Sequence, residues 1–161
     1  MKNTKWSTEE AIIEFVTIEY PYLEVLEIGE LKGCATQLTI HDTINNLVKH
    51  PTVNTLVRYL NPSSRLRQTW NNMQVRLSNS DCASYNHYHT KGITCEWDSF
   101  EEFYADMIDS YLAHIEQYGI FGATLDRINN SGNYSKNNCR WANYKQQAQN
   151  KGNNEQLSFD I

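Results

Sequence analysis

No Cys-x-x-Cys pair occurs in this chain of 161 residues, although it holds four cysteines, Cys34, Cys82, Cys95 and Cys139. That spacing speaks against a zinc ribbon or knuckle, so no zinc is expected and buried free thiols are the default. No apolar run is long enough to span a membrane, and the opening Met1-Lys2-Asn3-Thr4-Lys5-Trp6 is polar where a secretory leader would be apolar. A cytoplasmic protein with no membrane partner is expected. No segment is basic either: residues 1–64 hold 5 Lys and Arg against 8 Asp and Glu, residues 65–151 hold 9 against 9, and the net charge is −5. Nucleic-acid binding usually leaves a cationic footprint. Here only a local cluster, Arg65, Arg67, Arg76 and Lys91, joined by Arg140 and Lys145, is available to supply one.

What is present is patterned. Ser7-Thr8-Glu9-Glu10 is a helix start with acids in the first turn, and Ile12, Ile13, Phe15, Val16 and Ile18 continue the helix to about Glu19, before Pro21. Tyr22–Ile28 and Ala35–Ile40 alternate and are separated by Gly29 and Gly33, which predicts a β-hairpin. Two short helical pieces, His41–His50 and Thr52–Leu60, are predicted either side of Pro51. They lack the glycine turn and basic second helix of a helix-turn-helix. Residues 1–64 are thus a small α+β module, suited to binding DNA or protein.

From Ser64 to Asp81, Leu66, Trp70, Met73 and Val75 fall near helical spacing and are expected to face a core, with Arg65, Arg67 and Arg76 exposed. A Tyr85–Tyr88 loop follows. Asp98 or Ser99 then caps a long helix whose stripe of Phe100, Phe103, Tyr104, Met107, Ile108, Tyr111, Leu112 and Ile115 ends at Gly119–Gly122. Its other face carries Glu101, Glu102, Asp106, Asp109 and Glu116, a surface suited to a basic partner. After Lys151 a polar, flexible tail, 152–161, is expected, in which Leu157, Phe159 and Ile161 can add an edge strand or dock on a partner.

The most distinctive stretch is Leu125-Asp126-Arg127-Ile128-Asn129-Asn130-Ser131-Gly132, continued by Asn138-Cys139-Arg140-Trp141-Ala142 and the helix formers Lys145–Gln149. It predicts strand, turn, strand and helix. With Trp70-Asn71-Asn72-Met73-Gln74-Val75-Arg76 and Tyr85-Asn86-His87-Tyr88 upstream, residues 65–151 resemble HNH (His-Me finger, ββα-metal) endonucleases, in particular the phage branch with Leu-Asp-Arg-Ile and Asn-Cys-Arg-Trp. The resemblance implies an α+β fold with a ββα finger and a helical support, in the cytoplasm of a bacterial host.

It also implies roles, residue by residue. Asp126 falls where the family holds a divalent metal, Mg²⁺ or Mn²⁺, and Gln147 where the helix completes that site. Asn138 falls where an asparagine orients the first strand across the loop. Arg127 stands where the family has a histidine base. A guanidinium stays protonated and cannot take a proton from water, but it can hold a phosphate. Apart from the resemblance, the loop 85–91 offers substitute bases, His87 or His89 by the ordinary pKa of an imidazole and Tyr85 or Tyr88 if a metal or Arg127 lowers the phenol; Tyr88 is preferred, with His87 and His89 expected in solvent. Where the family has a Gly-Gly pair, this chain has His89-Thr90-Lys91-Gly92-Ile93. Trp141 is expected to pin a helix on the hairpin.

Two functions follow. One is a phage or mobile-element DNA endonuclease. The other is a degenerate finger kept as a counter-defence inhibitor, for example an anti-CRISPR, that binds a host nuclease through Glu101, Glu102, Asp106, Asp109 and Glu116.

Overall fold

The computed structural model describes the backbone of residues 4–156 and the side chains of 5–150. The chain is a mixture of helices and small antiparallel sheets, divided into two compact units. The first is the chain up to Pro62 with the short segment Tyr118–Phe121; the second is Ser63–Gln117 with the chain from Gly122 on.

In the first unit, helix α1 spans Glu9–Glu19 and buries Ile12, Phe15 and Val16. Thr8 is its N-cap, with Oγ1 accepting from Ala11 N at 3.3 Å. Strands β1 (Leu23–Ile28) and β2 (Leu38–Asp42) pair antiparallel, with a bulge between Val25 and Glu27. The hairpin expectation holds, although β2 begins three residues later than Ala35, after a 3₁₀ turn over Gly33–Ala35.

The predicted helix over His41–His50 is a strand, a turn and a strand. Strand β2 runs on through Asp42, and β3 (Leu47–Lys49) folds back along it. The reason lies in Asp42, which is fully buried. Its Oδ1 accepts from Ile44 N and Asn45 N, both at 3.1 Å, and its Oδ2 from Asn45 Nδ2 at 2.7 Å. An aspartate that captures the next backbone amides offers them an alternative to a helix. Asn46 completes the reversal at φ 52, a left-handed position that asparagine tolerates. Helix α2 (Val53–Tyr59) then forms as predicted, capped by Thr52 Oγ1, which accepts from Thr55 N at 3.2 Å. The core of this unit gathers Trp6, Ile12, Val16, Tyr20, Leu38, Ile40, Val53 and Leu56.

In the second unit, helix α3 (Pro62–Ser78) opens on a proline, whose missing N–H is not needed in a first turn. Leu66 and Met73 are buried, and Trp70 packs on Phe103 with ring centroids 5.5 Å apart. Val75, expected in the core, is 45% exposed: two residues past Met73 it is turned well round the helix. Arg65 and Arg76, expected in solvent, are half-buried, while Arg67 is exposed. The predicted Tyr85–Tyr88 loop is a short helix, α4 (Tyr85–Thr90), closed at Gly92 with φ 61. Because His89 and Thr90 are helical, they need none of the backbone freedom a Gly-Gly pair would give.

Helix α5 (Phe100–Tyr118) starts at Ser99, whose Oγ accepts from Glu102 N at 3.2 Å. It buries Phe100, Phe103, Met107 and Tyr111, while Leu112, at the margin of the expected stripe, is exposed. Gly119 ends it at φ 70. Strands β4 (Thr124–Arg127) and β5 (Cys139–Ala142) pair antiparallel, Arg127 opposite Cys139 and Asp126 opposite Arg140. Helix α6 (Tyr144–Gln156) follows at once. Asn143 and Gln146 form a reciprocal cap, Oδ1 accepting from Gln146 N at 2.9 Å and Gln146 Oε1 from Asn143 N at 2.8 Å. The helix carries on past Gly152, where the tail was expected to loosen; the expectation for Leu157, Phe159 and Ile161 lies outside the described residues. Trp141 pins the hairpin to α5 and not to the helix that follows, its Nε1 donating to Met107 O at 3.0 Å and its ring lying 4.9 Å from Tyr111.

Asp42→Ala should lower stability by about 1–3 kcal/mol, because two backbone amides of the turn lose their buried acceptor. Urea titration should show a lower midpoint at an unchanged slope; an unchanged midpoint would mean that the turn forms without the carboxylate.

Candidate functional site

The hairpin and α6 bring the sequence-predicted residues into one region, but with partners that differ from those expected. Asp126 and Arg127 are buried, at 5% and 6% exposure. Asp126 Oδ2 accepts from Arg140 Nε at 3.1 Å, across the strand pair. Both its oxygens also face Asn150 Nδ2, at 3.3 and 3.2 Å, and the same amide nitrogen lies 2.7 Å from Arg127 O. The helix side chain that reaches Asp126 is thus Asn150, not Gln147, which lines a separate cleft beside Arg65 and Arg76. The motif spacing pointed to Gln147; Asn150, a further turn along α6, was legible only as another polar residue.

Arg127 does not point at an open surface. Its Nη1 donates to Gly132 O at 2.8 Å, and its Cζ lies 4.9 Å from the ring centres of both Tyr88 and Tyr134. The two rings are stacked 6.1 Å apart with their hydroxyls 3.3 Å apart. Arg76 from α3 also meets the hydroxyls of Tyr134 and Tyr88. Burial raises the phenol of Tyr134, the neighbouring Tyr88 hydroxyl raises it further, and Arg127 only partly offsets them. Tyr88 is therefore one wall of a cation–π clamp.

The loop between the strands is held by Asn138. Its Oδ1 accepts from Asn129 N at 2.9 Å; its Nδ2 donates to Asn133 O at 2.7 Å and Asn129 O at 3.1 Å. Gly132 allows this approach, since a Cβ there would stand 2.9 Å from Asn138 Nδ2. Asn133 and Tyr134 extend the loop against Thr94–Glu96 through Tyr134 N to Thr94 O and Glu96 N to Tyr134 O, both 2.9 Å.

His87 and His89 are exposed as expected, His89 stacked on Tyr85 at 5.1 Å. The imidazole of His87 is lowered by partial burial and then by the charges of Lys91 and Arg127, which favours its neutral form.

The other expected surfaces are partly consumed. Arg67 pairs with Glu101 at 3.2 Å and lies 3.3 Å over the Phe100 ring. Glu102 Oε2 accepts from Asp98 N at 3.0 Å. Asp106 accepts from Trp97 Nε1 at 2.9 Å and pairs with Lys136 at 2.7 Å, which hold its carboxyl below the ordinary range, Lys136 most. Asp109 and Glu116 remain exposed, as do Lys91 and Lys145. The acidic face of α5 is therefore neutralised at its first turns, and Arg140 is spent on Asp126.

A divalent cation would be a poor guest in this arrangement. Asp126 supplies one carboxylate, the guanidinium of Arg140 already sits on its Oδ2, and Asn150 turns its amide nitrogen, not its oxygen, toward it. No family model matches the chain, and no curated protein or solved structure does either.

Two outcomes follow from these contacts. Arg127→Lys removes the planar stack and the fork while keeping the charge, and should cost about 1–3 kcal/mol by thermal melting; a melting temperature within a degree of the parent would show the clamp to be inert. Burial pushes the Cys139 thiol up to about 12, whereas the Ser84 hydroxyl lowers that of Cys82. At pH 8 a thiol reagent followed by peptide mapping should label Cys82 and spare Cys139 until the protein is unfolded; equal labelling of both in the native protein would contradict the packing of β5.

Proposed function

We propose that this chain is an HNH-like, DNA-acting protein of phage or mobile-element type, whose finger binds the phosphodiester backbone without cutting it by the histidine mechanism. The observation that carries this reading is the internal closure of positions 126 and 127. Asp126 is held by Arg140 and Asn150, and Arg127 by Gly132 O and two tyrosine rings, while the strand–loop–strand–helix frame is kept whole. The resemblance to the phage branch supports DNA as the partner. The inhibitor reading takes second place, because Glu101, Glu102 and Asp106 already answer internal partners.

Supercoiled plasmid incubated with the full chain in Mg²⁺ or Mn²⁺, run beside a gel-shift titration of the same DNA, tests this directly. The expected result is a retarded band with no nicked product above background. Nicking that disappears in Asp126→Ala would establish a metal-dependent endonuclease instead, and the absence of any shift at low salt would remove DNA as the partner.

A further inference from the structure

The segment between Asp81 and Glu96 contains no carboxylate, in a chain with 19 Asp and Glu. Its middle is α4, and at the end of that helix His87, His89, Thr90, Lys91 and Gly92 are all exposed. Lys91 enters no ion pair among the described residues. Gly92 turns the chain at φ 61, and a Cβ added there would meet nothing within 4 Å, so none of the described residues crowds this end of the helix.

Two features give that end its chemistry. His89 is stacked on Tyr85, one turn before it, with ring centres 5.1 Å apart and planes at 28°. Such a pair steadies a short helix. Because His89 is exposed, it also ends in a ring open to water, on which a further ring can stack. The second feature is the local field. Partial burial lowers the imidazole of His87, and the charges of Lys91 and Arg127 lower it further, so cations reach this end both from the helix terminus and from β4. An aromatic step beside a cation and away from carboxylates suits a nucleic-acid strand whose bases are unpaired. In a duplex each base is already stacked on its neighbours, whereas an unpaired base offers a free π-face, and its phosphates answer the cation.

We propose that the end of α4 docks a single DNA strand, with one unpaired base stacked on the Tyr85–His89 pair and an adjoining phosphate on Lys91. The proposal rests on the DNA-acting reading above and deepens it by naming unpaired DNA as the form bound. Recognition of this kind is tolerant of sequence, since every base has a π-face.

The test is fluorescence anisotropy with the full chain over a range of salt, using a labelled oligothymidylate, an abasic strand of the same length and a duplex. The parent should prefer the base-bearing strand to the abasic one by about tenfold. His89→Ala should lose that preference while keeping the affinity for the abasic strand, and His89→Phe, which keeps a ring, should restore it. Lys91→Gln should weaken both single strands alike and reduce the slope of log affinity against log salt by about 0.7. A ring pair that only steadies the helix would change the melting temperature in His89→Ala and leave the preference in place, which overturns the proposal. Equal binding of the base-bearing and abasic strands by the parent, or binding of duplex alone, also overturns it and leaves the DNA-acting reading standing. If neither single strand nor duplex binds at low salt, both fall.

Discussion

A buried guanidinium set against a pair of tyrosine rings is the constraint on which the hairpin and its loop depend. Arg127 comes from β4, Tyr88 from α4 and Tyr134 from the interstrand loop, so a single cation joins three elements that also meet in one apolar cluster. Its Nη1 donates to Gly132 O and ties it to the loop, which Asn138 holds in shape. A desolvated cation of this kind is tolerated where π-density and a carbonyl oxygen answer it. Beside it, the Asp126 carboxylate is matched by Arg140 and Asn150, so the two adjacent ionised residues of β4 are satisfied separately, on opposite faces of the strand.

This division lets Asp126 and Arg127 hold a frame together. A histidine in place of Arg127 would be too short to stack between the tyrosines and reach Gly132, and a metal on Asp126 would have to displace a guanidinium. Both features that make the site unpromising for cleavage make it a stiff support. A stiff hairpin and helix are what a binding surface needs, because less conformational freedom is lost when the partner arrives. The net acidity of the chain is no obstacle to such a surface, because several of its carboxylates are spent on the chain's own cations or backbone amides.

Much of the frame was legible in the sequence. Ser7-Thr8 with the acids behind it, and Asp98 or Ser99, mark helix starts, Pro51 delimits the helix from Thr52, and the alternation from Tyr22 predicts the hairpin. The strand–turn–strand–helix order from Leu125 to Gln149 follows from two short apolar runs around an Asn-Ser-Gly loop and the helix formers after them. What escaped is three-dimensional. The turn after Asp42 depends on a carboxylate that captures amides only once it is buried, and apolar Ile44, Leu47 and Val48 imitate a helix meanwhile. The partners of Asp126 depend on how far α6 rotates before its side chains meet β4, which decided for Asn150 over Gln147. Arg127 was recognised as unable to act as a base, but that its side chain turns inward to the tyrosines required Tyr88 and Tyr134, far apart in the chain, to be brought together. The acidic stripe of α5 was visible, whereas its neutralisation by Arg67 and Lys136 was not.

The carboxylate of Asp126 is held by Arg140 and Asn150, and titration of Mn²⁺ into the isotope-labelled full chain, followed by paramagnetic broadening of its backbone amide signals, reads whether those partners exclude a cation. The amides of Asp126, Arg127, Arg140 and Asn150 should broaden no more than exposed acidic positions such as Asp109 and Glu116. Selective broadening of those four signals at submillimolar Mn²⁺, abolished in Asp126→Ala, would contradict that exclusion and return the finger to the metal-dependent nucleases.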